Sequence, residues 1–159
     1  MKISVVWHAP IVLPGYAREL IDSFDFEVLP EEAGVYIFAR RFGSKVTAIY
    51  VGKAEVLRVR IRQQLNNNLL MRALDDAPNG ERVLICGTFT GKRGARIGKW
   101  LKTVEEALIT HFTEQQHELI NKRGVLLQFD EIEFEGSRIA TRATGRTLRV
   151  PKRRRGLLG

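Results

Sequence analysis

The chain has 159 residues, enough for one domain with a sizeable core, and its 44% hydrophobic and 28% charged residues exclude wholesale disorder. Lys and Arg outnumber Asp and Glu by 26 to 18, and the net charge of +8 is typical of a protein that binds nucleic acid. Such a charge also favours solubility or attachment to an anionic membrane, but the sequence offers no basic amphipathic helix and no apolar membrane span.

The N-terminal third predicts a strand, a short helix and a β-hairpin. The β-branched run Lys2–Trp7 indicates a strand, and the prolines that follow it exclude a secretory apolar core. Residues Pro10–Gly15 are typical of a turn, and Tyr16–Phe24 indicates one short helix. Two β-rich runs, Gly34–Arg40 and Val46–Gly52, flank a Gly-containing connection and therefore predict the hairpin.

Helical periodicity follows the hairpin. Apolar residues at Leu57, Ile61 and Leu65 recur every four positions, so we expect Glu55–Leu65 to form a helix with one buried face. The run Leu69–Leu74 adds another helical turn or two.

A buried strand is predicted after the turn signal at Pro78–Gly80. The run Arg82–Thr90 is apolar over most of its length, and Cys86 within it is expected to be a core residue. Because Cys86 is the only cysteine, no internal disulfide and no cysteine-based zinc cage can form. This cysteine usage favours a reducing, cytoplasmic compartment.

The segment Gly91–Lys99 is predicted to be a basic loop. Its last two residues, Gly and Lys, suggest a phosphate-binding loop, but Arg93 stands where that pattern requires Gly and Trp100 where it requires Ser or Thr. The segment is therefore interpreted either as a contact to a polynucleotide backbone or as an ordinary surface loop.

The longest helix is predicted at Lys102–Glu118, where apolar residues recur every three or four positions. The run Leu126–Phe134 indicates a further strand. From Gly136 onward the chain is polar and basic and ends with the cationic run Lys152–Arg155, so we expect partial disorder over residues 136–159.

Each strand of the predicted hairpin carries a tyrosine close to a glycine. Gly34-Val35-Tyr36 opens the first strand, and Tyr50-Val51-Gly52 closes the second. Lys53 follows the second motif directly, and Arg60 lies ten residues after its tyrosine on the predicted helix. We expect folding to gather the two phenols, the guanidinium of Arg60 and the carboxylate of Glu105 around a pocket that fits a phosphate.

Glu105, on the longest predicted helix, and Asn121 complete an ordered set. This order and spacing resembles the GIY-YIG nuclease superfamily, which includes homing endonucleases, some restriction enzymes and the N-terminal incision domain of the bacterial excision-repair nuclease. The stretch from Tyr50 to Arg60 is most similar to the repair-nuclease version. The resemblance covers about residues 33–122 and leaves an N-terminal extension, residues 1–32, unmatched.

The residue types also suit phosphodiester cleavage. A carboxylate such as Glu105 is a hard-oxygen ligand for Mg²⁺ or Mn²⁺, and Mg²⁺ often keeps several waters beside one or two carboxylates. Arg60 can bind phosphate oxygens in a bidentate manner. The hydroxyl of Tyr36 or Tyr50 can orient or deprotonate a water if a neighbouring cation or metal assists it.

The resemblance implies a role for each residue of the set. Tyr36 or Tyr50 would handle the water, and Arg60 would stabilise the transition state. Glu105 would hold the metal ion, and Lys53 would assist the nucleophile or the phosphate. Three supporting residues complete the implied site: Gly34, Gly52 and Asn121.

These assignments have structural alternatives. Tyrosines are common in strands, Arg60 has basic neighbours that suggest a solvated face, and Glu106 rivals Glu105. The family pattern places its glutamate three residues before the leucine of a Leu-Ile pair, which selects Glu105. Other basic residues are expected either to contact a nucleic-acid backbone or to remain plain surface: Arg58, Arg62, Lys92, Arg93, Arg96 and Lys99.

The sequence thus predicts a single α+β domain in which a small, mainly antiparallel sheet, extended by an N-terminal strand, is flanked by helices. Its predicted function is that of a divalent-metal-dependent endonuclease acting on DNA in preference to RNA. A catalytically weak nucleic-acid-binding module of the same fold and an RNA-directed nuclease are the alternatives. The sequence decides neither the oligomeric state nor which tyrosine activates the nucleophile.

Overall fold

The computed structural model describes residues 2–13, 23–76, 80–90, 94, 96–121 and 130–150. Within these residues, α-helices pack on both faces of a seven-stranded sheet. The strands are β1 (Lys2–Trp7), β2 (Ile11–Val12), β3 (Gly34–Phe42), β4 (Lys45–Ala54), β5 (Glu81–Phe89), β6 (Asp130–Gly136) and β7 (Thr147–Val150). The helices are α1 (Leu57–Gln64), α2 (Asn68–Asp76), α3 (Ile97–Glu114) and α4 (Arg138–Thr144), and a 3₁₀ helix, Phe26–Val28, precedes β3.

The sheet has the strand order β4-β3-β5-β1-β6-β7, and the two-residue strand β2 pairs with β5. All pairs are antiparallel except β1 with β6, so the sheet is mixed. The predicted α+β class is confirmed. The predicted N-terminal strand is also confirmed, and it lies inside the sheet between β5 and β6.

Helices cover both faces of the central strands, and the side chains on both faces of β3 are therefore buried. Val35 and Ile37 belong to the core on the α3 side, where Phe112 is fully buried. Tyr36 and Phe38 belong to the core on the α1 and α2 side. Because side chains alternate along a strand, neighbouring residues of β3 serve two different cores.

Cross-strand register places both tyrosine motifs at one end of the hairpin. Tyr36 is opposite Gly52, and Phe38 is opposite Tyr50. Directly paired residues project from the same face of a sheet, so the phenol rings of Tyr36 and Tyr50 both face helix α1. The register shifts just after Phe38, where β4 contains one extra residue.

The predicted loop at Gly91–Lys99 is wrong at its C-terminal end, because α3 already begins at Ile97. Leu101 on the first turns of α3 is buried, and this packing extends the helix beyond the predicted start. Of the rest of that segment, residues 91–93 and 95 lie outside the described residues.

Partial disorder is expected over residues 136–159, and the structure describes residues 136–150 of this segment as the end of β6, α4 and β7. Ala140 and Val150 are buried in the core, so a few apolar positions anchor a segment that is otherwise polar and basic. Most of the predicted helix at Tyr16–Phe24 and the cationic run at Lys152–Arg155 lie outside the described residues. So do residues 78 and 79 of the predicted turn and residues 126–129 of the last predicted strand.

In the part of the chain that the structure describes, no helix combines the length and apolar character needed to cross a membrane. The helices instead carry one buried apolar face each, as expected for elements that pack on a sheet.

Candidate functional site

The two motif tyrosines meet beneath helix α1 around one buried amide. The rings of Tyr36 and Tyr50 are stacked, with centroids 6.1 Å apart and planes inclined by 17°. Nε2 of Gln64 donates one hydrogen bond of 2.8 Å to the hydroxyl oxygen of Tyr36 and another of 3.1 Å to that of Tyr50. Gln64 is only 4% exposed, so this amide is part of the protein interior.

Two glycines make this arrangement sterically possible. A Cβ atom on Gly52 would lie 2.2 Å from Cζ of Tyr36, so the phenol ring occupies the space that any side chain at position 52 would need. A Cβ on Gly34 would lie 2.1 Å from the carbonyl oxygen of Gly87 and 2.8 Å from Cδ1 of Leu57. The supporting residues of the sequence motifs therefore create room for the Tyr36 ring and for helix α1.

Arg60 lies one helical turn before Gln64 on α1, and its side chain is exposed. Its Nη1 donates a hydrogen bond of 3.1 Å to Oε1 of Gln63. The guanidinium is close enough to Tyr36 to lower the pKa of that phenol. Tyr36, Tyr50 and Arg60, predicted to act together, are thus brought together by the structure.

The two phenols have different environments. Tyr36 is 1% exposed, whereas Tyr50 is half-buried. Burial raises the pKa of Tyr36 to about 12, although the hydrogen bond from Gln64 and the charge of Arg60 act in the opposite direction. Tyr36 therefore stays protonated at neutral pH, and Tyr50 is the phenol that presents surface to an incoming molecule.

Lys53 and Glu105 form a second group. Nζ of Lys53 lies 2.5 Å from Oε2 of Glu105, and the Glu105 side chain is only 18% exposed. Strand β4 supplies the cation and helix α3 supplies the carboxylate. The structure thus joins these two predicted site residues to each other as an ion pair.

The two groups lie on opposite faces of strand β4. Gly52 contacts the ring of Tyr36 on the α1 side, whereas the next residue, Lys53, reaches Glu105 on the α3 side. Strand β4 is at the edge of the sheet, so one phosphate can be approached by both groups only around this edge. A single cluster is expected from the sequence, whereas these residues form two adjacent groups.

Glu105 is the residue of the predicted set that could bind a metal ion. Among the described residues, no three His, Cys, Asp or Glu side chains are placed to share a metal ion. Glu105 contributes one carboxylate, and Mg²⁺ in proteins often takes only one or two protein carboxylates beside several waters. One of its oxygens is already engaged by Lys53, so a cation at this position must share the carboxylate or displace the lysine.

Asn121 braces the outer edge of β4. Its Oδ1 accepts a 3.2 Å hydrogen bond from the backbone N–H of Val51, and its Nδ2 donates to the carbonyl oxygen of the same residue. Ile120 N–H donates to the carbonyl of Ile49 at 3.0 Å, and Nδ1 of His117 accepts from the N–H of Ala48 at 2.9 Å. Residues 117–121 thus supply hydrogen-bond partners to backbone groups of the edge strand β4, next to the tyrosine motif.

The basic residues predicted to contact a nucleic-acid backbone differ in whether their side chains are already engaged within the protein. Arg58 braces the protein itself, since its guanidinium donates to the carbonyl oxygen of Leu29 at 3.0 Å and to Glu31 at 2.5 Å. The guanidinium of exposed Arg62 lies 5.1 Å from the ring centre of Phe26. Arg96 and Lys99 are exposed at the start of α3, whereas Lys92 and Arg93 lie outside the described residues.

Gln64 and Asn67 were missed in the sequence analysis. Position 64 lies three residues after buried Ile61, so a polar residue occupies the apolar stripe of α1. A buried amide at such a position must find hydrogen-bond partners, and this mismatch is the signal that identifies it. Asn67 follows the helix and donates to Oε1 of Gln64 at 3.1 Å.

No protein-family model matches the chain, and no curated protein or solved structure matches it either. What the site can do is therefore inferred from its own residues and their contacts.

Proposed function

We propose that this protein is a divalent-metal-dependent endonuclease that hydrolyses phosphodiester bonds in DNA. The observation that carries the proposal is that Tyr36 and Tyr50 share the amide of Gln64, with Arg60 close to Tyr36 and the Lys53–Glu105 pair three residues along β4 from Tyr50. A neutral phenol, a guanidinium, an ammonium and a carboxylate can together orient a water, bind a metal ion and neutralise the charge that develops during phosphodiester hydrolysis.

Arg60 and Tyr50 are suited to bind the phosphate that is cleaved. Arg60 carries a permanent charge and reaches solvent, so it can neutralise charge that develops on the phosphoryl oxygens. The hydroxyl of half-buried Tyr50 accepts from the same Gln64 amide as Tyr36, the phenol that Arg60 approaches, and it can bind a phosphate oxygen or the attacking water.

Glu105 would hold the metal ion. Mg²⁺ or Mn²⁺ bound there supplies Lewis acidity, which stabilises negative charge on the transferring group. Lys53 already lies against this carboxylate, and once displaced from it the ammonium is placed to bind the phosphate. Until substrate and metal ion bind, the ion pair with Lys53 keeps the carboxylate of Glu105 oriented.

The net charge of +8 supports a polyanionic substrate. Exposed cations occur on both sides of β4, with Arg60 and Arg62 on α1 and Lys99 at the start of α3. These side chains can contact successive phosphates of one backbone without reading its sequence. We therefore expect affinity to fall steeply as salt is added, as counterion release requires.

A second candidate is a nucleic-acid-binding module that does not cleave. Two observations favour it: Lys53 already neutralises Glu105, and burial raises the pKa of Tyr36 to about 12, which opposes its use as a base. This candidate predicts salt-dependent binding that is indifferent to divalent metal ions.

Incubation with a panel of nucleic acids separates these candidates. The purified chain is mixed with duplex, branched and single-stranded DNA and with RNA, with Mg²⁺, Mn²⁺ or EDTA. We expect DNA cleavage with either metal ion and none with EDTA. Arg60→Ala should lose at least ~10²-fold in cleavage rate, whereas Arg72→Ala, which removes an exposed arginine of α2, should not.

Binding measured by fluorescence anisotropy completes this test. Persistent binding by Arg60→Ala shows that its loss of cleavage is a catalytic defect rather than a failure to associate. Binding without cleavage of any nucleic acid by the unaltered chain would favour the non-cleaving module. Cleavage of RNA alone would overturn the choice of DNA.

A further inference from the structure

The hydrogen bonds around Gln64 form a chain whose direction is fixed by the protein backbone. The N–H of Leu70 can only donate, and it donates to Oδ1 of Asn67 at 3.2 Å. Nδ2 of Asn67 must then face Gln64, where it donates to Oε1 at 3.1 Å. Nε2 of Gln64 is consequently the atom that faces the two tyrosines.

This direction determines what the tyrosine hydroxyls can do. A primary amide has two N–H hydrogens, and Nε2 of Gln64 uses one for Tyr36 and the other for Tyr50. Each phenol oxygen therefore accepts from Gln64, and its own O–H hydrogen must point elsewhere. For half-buried Tyr50, that direction leads away from the buried amide.

We infer that Gln64 is a positioning residue that holds the hydroxyl of Tyr50 as a hydrogen-bond donor toward a bound phosphate. Tyr36 accepts the second N–H of the same amide. Asn67 sets the orientation of the amide from the other side. The inference rests on the proposed cleavage of phosphodiesters, and it specifies that Tyr50 approaches the substrate by donating rather than by accepting.

Asn67→Asp tests this network without altering Gln64 or either tyrosine. The ionised carboxylate of this variant can still accept from the N–H of Leu70, but its second oxygen would face Oε1 of Gln64. The amide of Gln64 is then expected to rotate and present its oxygen to the phenols. Both hydroxyls would donate to that oxygen, and Tyr50 could no longer donate to a phosphate.

Asn66→Asp is the matched control, because it makes the same charge change at the neighbouring, exposed asparagine. Gln64→Glu is a second variant, since a carboxylate at position 64 can only accept from the two phenols. In every sample Tyr16, the third tyrosine of the chain, is replaced by Phe so that only Tyr36 and Tyr50 contribute to the spectrum.

The main readout is the tyrosine doublet in the Raman spectrum, whose intensity ratio depends on whether a phenol accepts or donates its hydrogen bond. We expect Asn67→Asp and Gln64→Glu to move the ratio toward donation and Asn66→Asp to leave it unchanged. The same two variants should lose ~10²-fold in DNA cleavage while still binding DNA.

A Raman ratio in Asn67→Asp and Gln64→Glu equal to that of Asn66→Asp would overturn the inferred orientation. A changed ratio with unchanged cleavage would overturn the positioning role. If the unaltered chain cleaves no nucleic acid, the proposed function is wrong, and the Raman ratio still decides whether Gln64 sets the direction of the hydroxyls.

Discussion

The ammonium of Lys53 lies 2.5 Å from the carboxylate of Glu105, so the residue assigned to metal binding is already paired with a cation. A divalent ion and this lysine compete for the same oxygen atoms. Glu105 is the only carboxylate in the assigned set, and therefore this competition controls how tightly the site can hold its metal ion.

Replacing Lys53 by Met should strengthen metal binding and weaken cleavage. Loss of the ion pair releases the carboxylate, and we expect Mn²⁺ affinity to rise about fivefold because a partly exposed pair contributes ~1 kcal/mol or less. Titration calorimetry measures the affinity. Lys45→Met, at the exposed start of the same strand, is the control and should leave it unchanged. Unaltered Mn²⁺ binding by Lys53→Met would show that Glu105 is not the ligand.

The two tyrosines should respond differently to removal of their hydroxyl groups. Tyr50→Phe is expected to lose ~10²-fold or more in cleavage, because the half-buried hydroxyl is placed to reach substrate. Tyr36→Phe should lose less cleavage but ~1–3 kcal/mol in the free energy of unfolding, because one N–H of buried Gln64 loses its acceptor. Single-turnover cleavage and urea denaturation measure the two quantities. The reverse order of cleavage losses would identify Tyr36 as the residue that contacts substrate.

Gly52→Ala should destabilise the protein by ~1–3 kcal/mol, because the added Cβ would lie 2.2 Å from Cζ of Tyr36 in a closely packed layer. Thermal unfolding measures this loss. The control is Gly98→Ala on helix α3, where an added Cβ meets no atom within 4 Å and a helical alanine is favoured over glycine. Its melting temperature should be unchanged or slightly higher. Equal losses for the two variants would contradict the packing of Tyr36 on Gly52.

Stability should fall on acidification because His117 must be neutral in the folded state. Its Nδ1 accepts the N–H of Ala48, and its pKa is lowered from 6.5, first by burial and then by the nearby charges of His111 and Lys45. Below pH 6.5 the unfolded chain binds the proton more readily than the folded one does. His117 therefore contributes fully to the free energy of unfolding above that pH, and this contribution is lost as the pH falls toward the lowered pKa.

His117→Asn isolates this effect, since its amide oxygen can replace Nδ1 as an acceptor and does not titrate. Urea midpoints at about pH 7.5 and about pH 5.5 should differ less in this variant than in the unaltered protein. The same difference in both proteins would assign the acid sensitivity to other groups.

The hairpin and the position of its tyrosines could be predicted from sequence because local patterns determine both. Two β-rich runs and a Gly-containing connection predict β3 and β4, and pairing brings Tyr36 opposite Gly52. The apolar repeat at Leu57 and Ile61 likewise predicts α1 and the face that it buries.

Contacts between distant segments could not be predicted in this way. The pairing of Lys53 with Glu105 depends on how α3 packs on the sheet, and spacing along the chain contains no measure of that distance. Strand β7 was missed because its pairing with β6 supplies stability that four residues alone lack. The hydrogen bond from Arg58 to the carbonyl of Leu29 could not be predicted either, because a backbone carbonyl has no sequence signature.

The most direct test of the central claim is the rate of DNA cleavage by Glu105→Gln compared with Glu114→Gln, an exposed residue at the end of the same helix. The amide at position 105 keeps nearly the shape of the carboxylate but loses the charge that a divalent ion needs. We predict that Glu105→Gln still binds DNA but loses at least ~10²-fold in the rate of Mn²⁺-dependent cleavage. Glu114→Gln should cleave at the unaltered rate. Equal cleavage by both variants would contradict a metal-dependent nuclease site at Glu105.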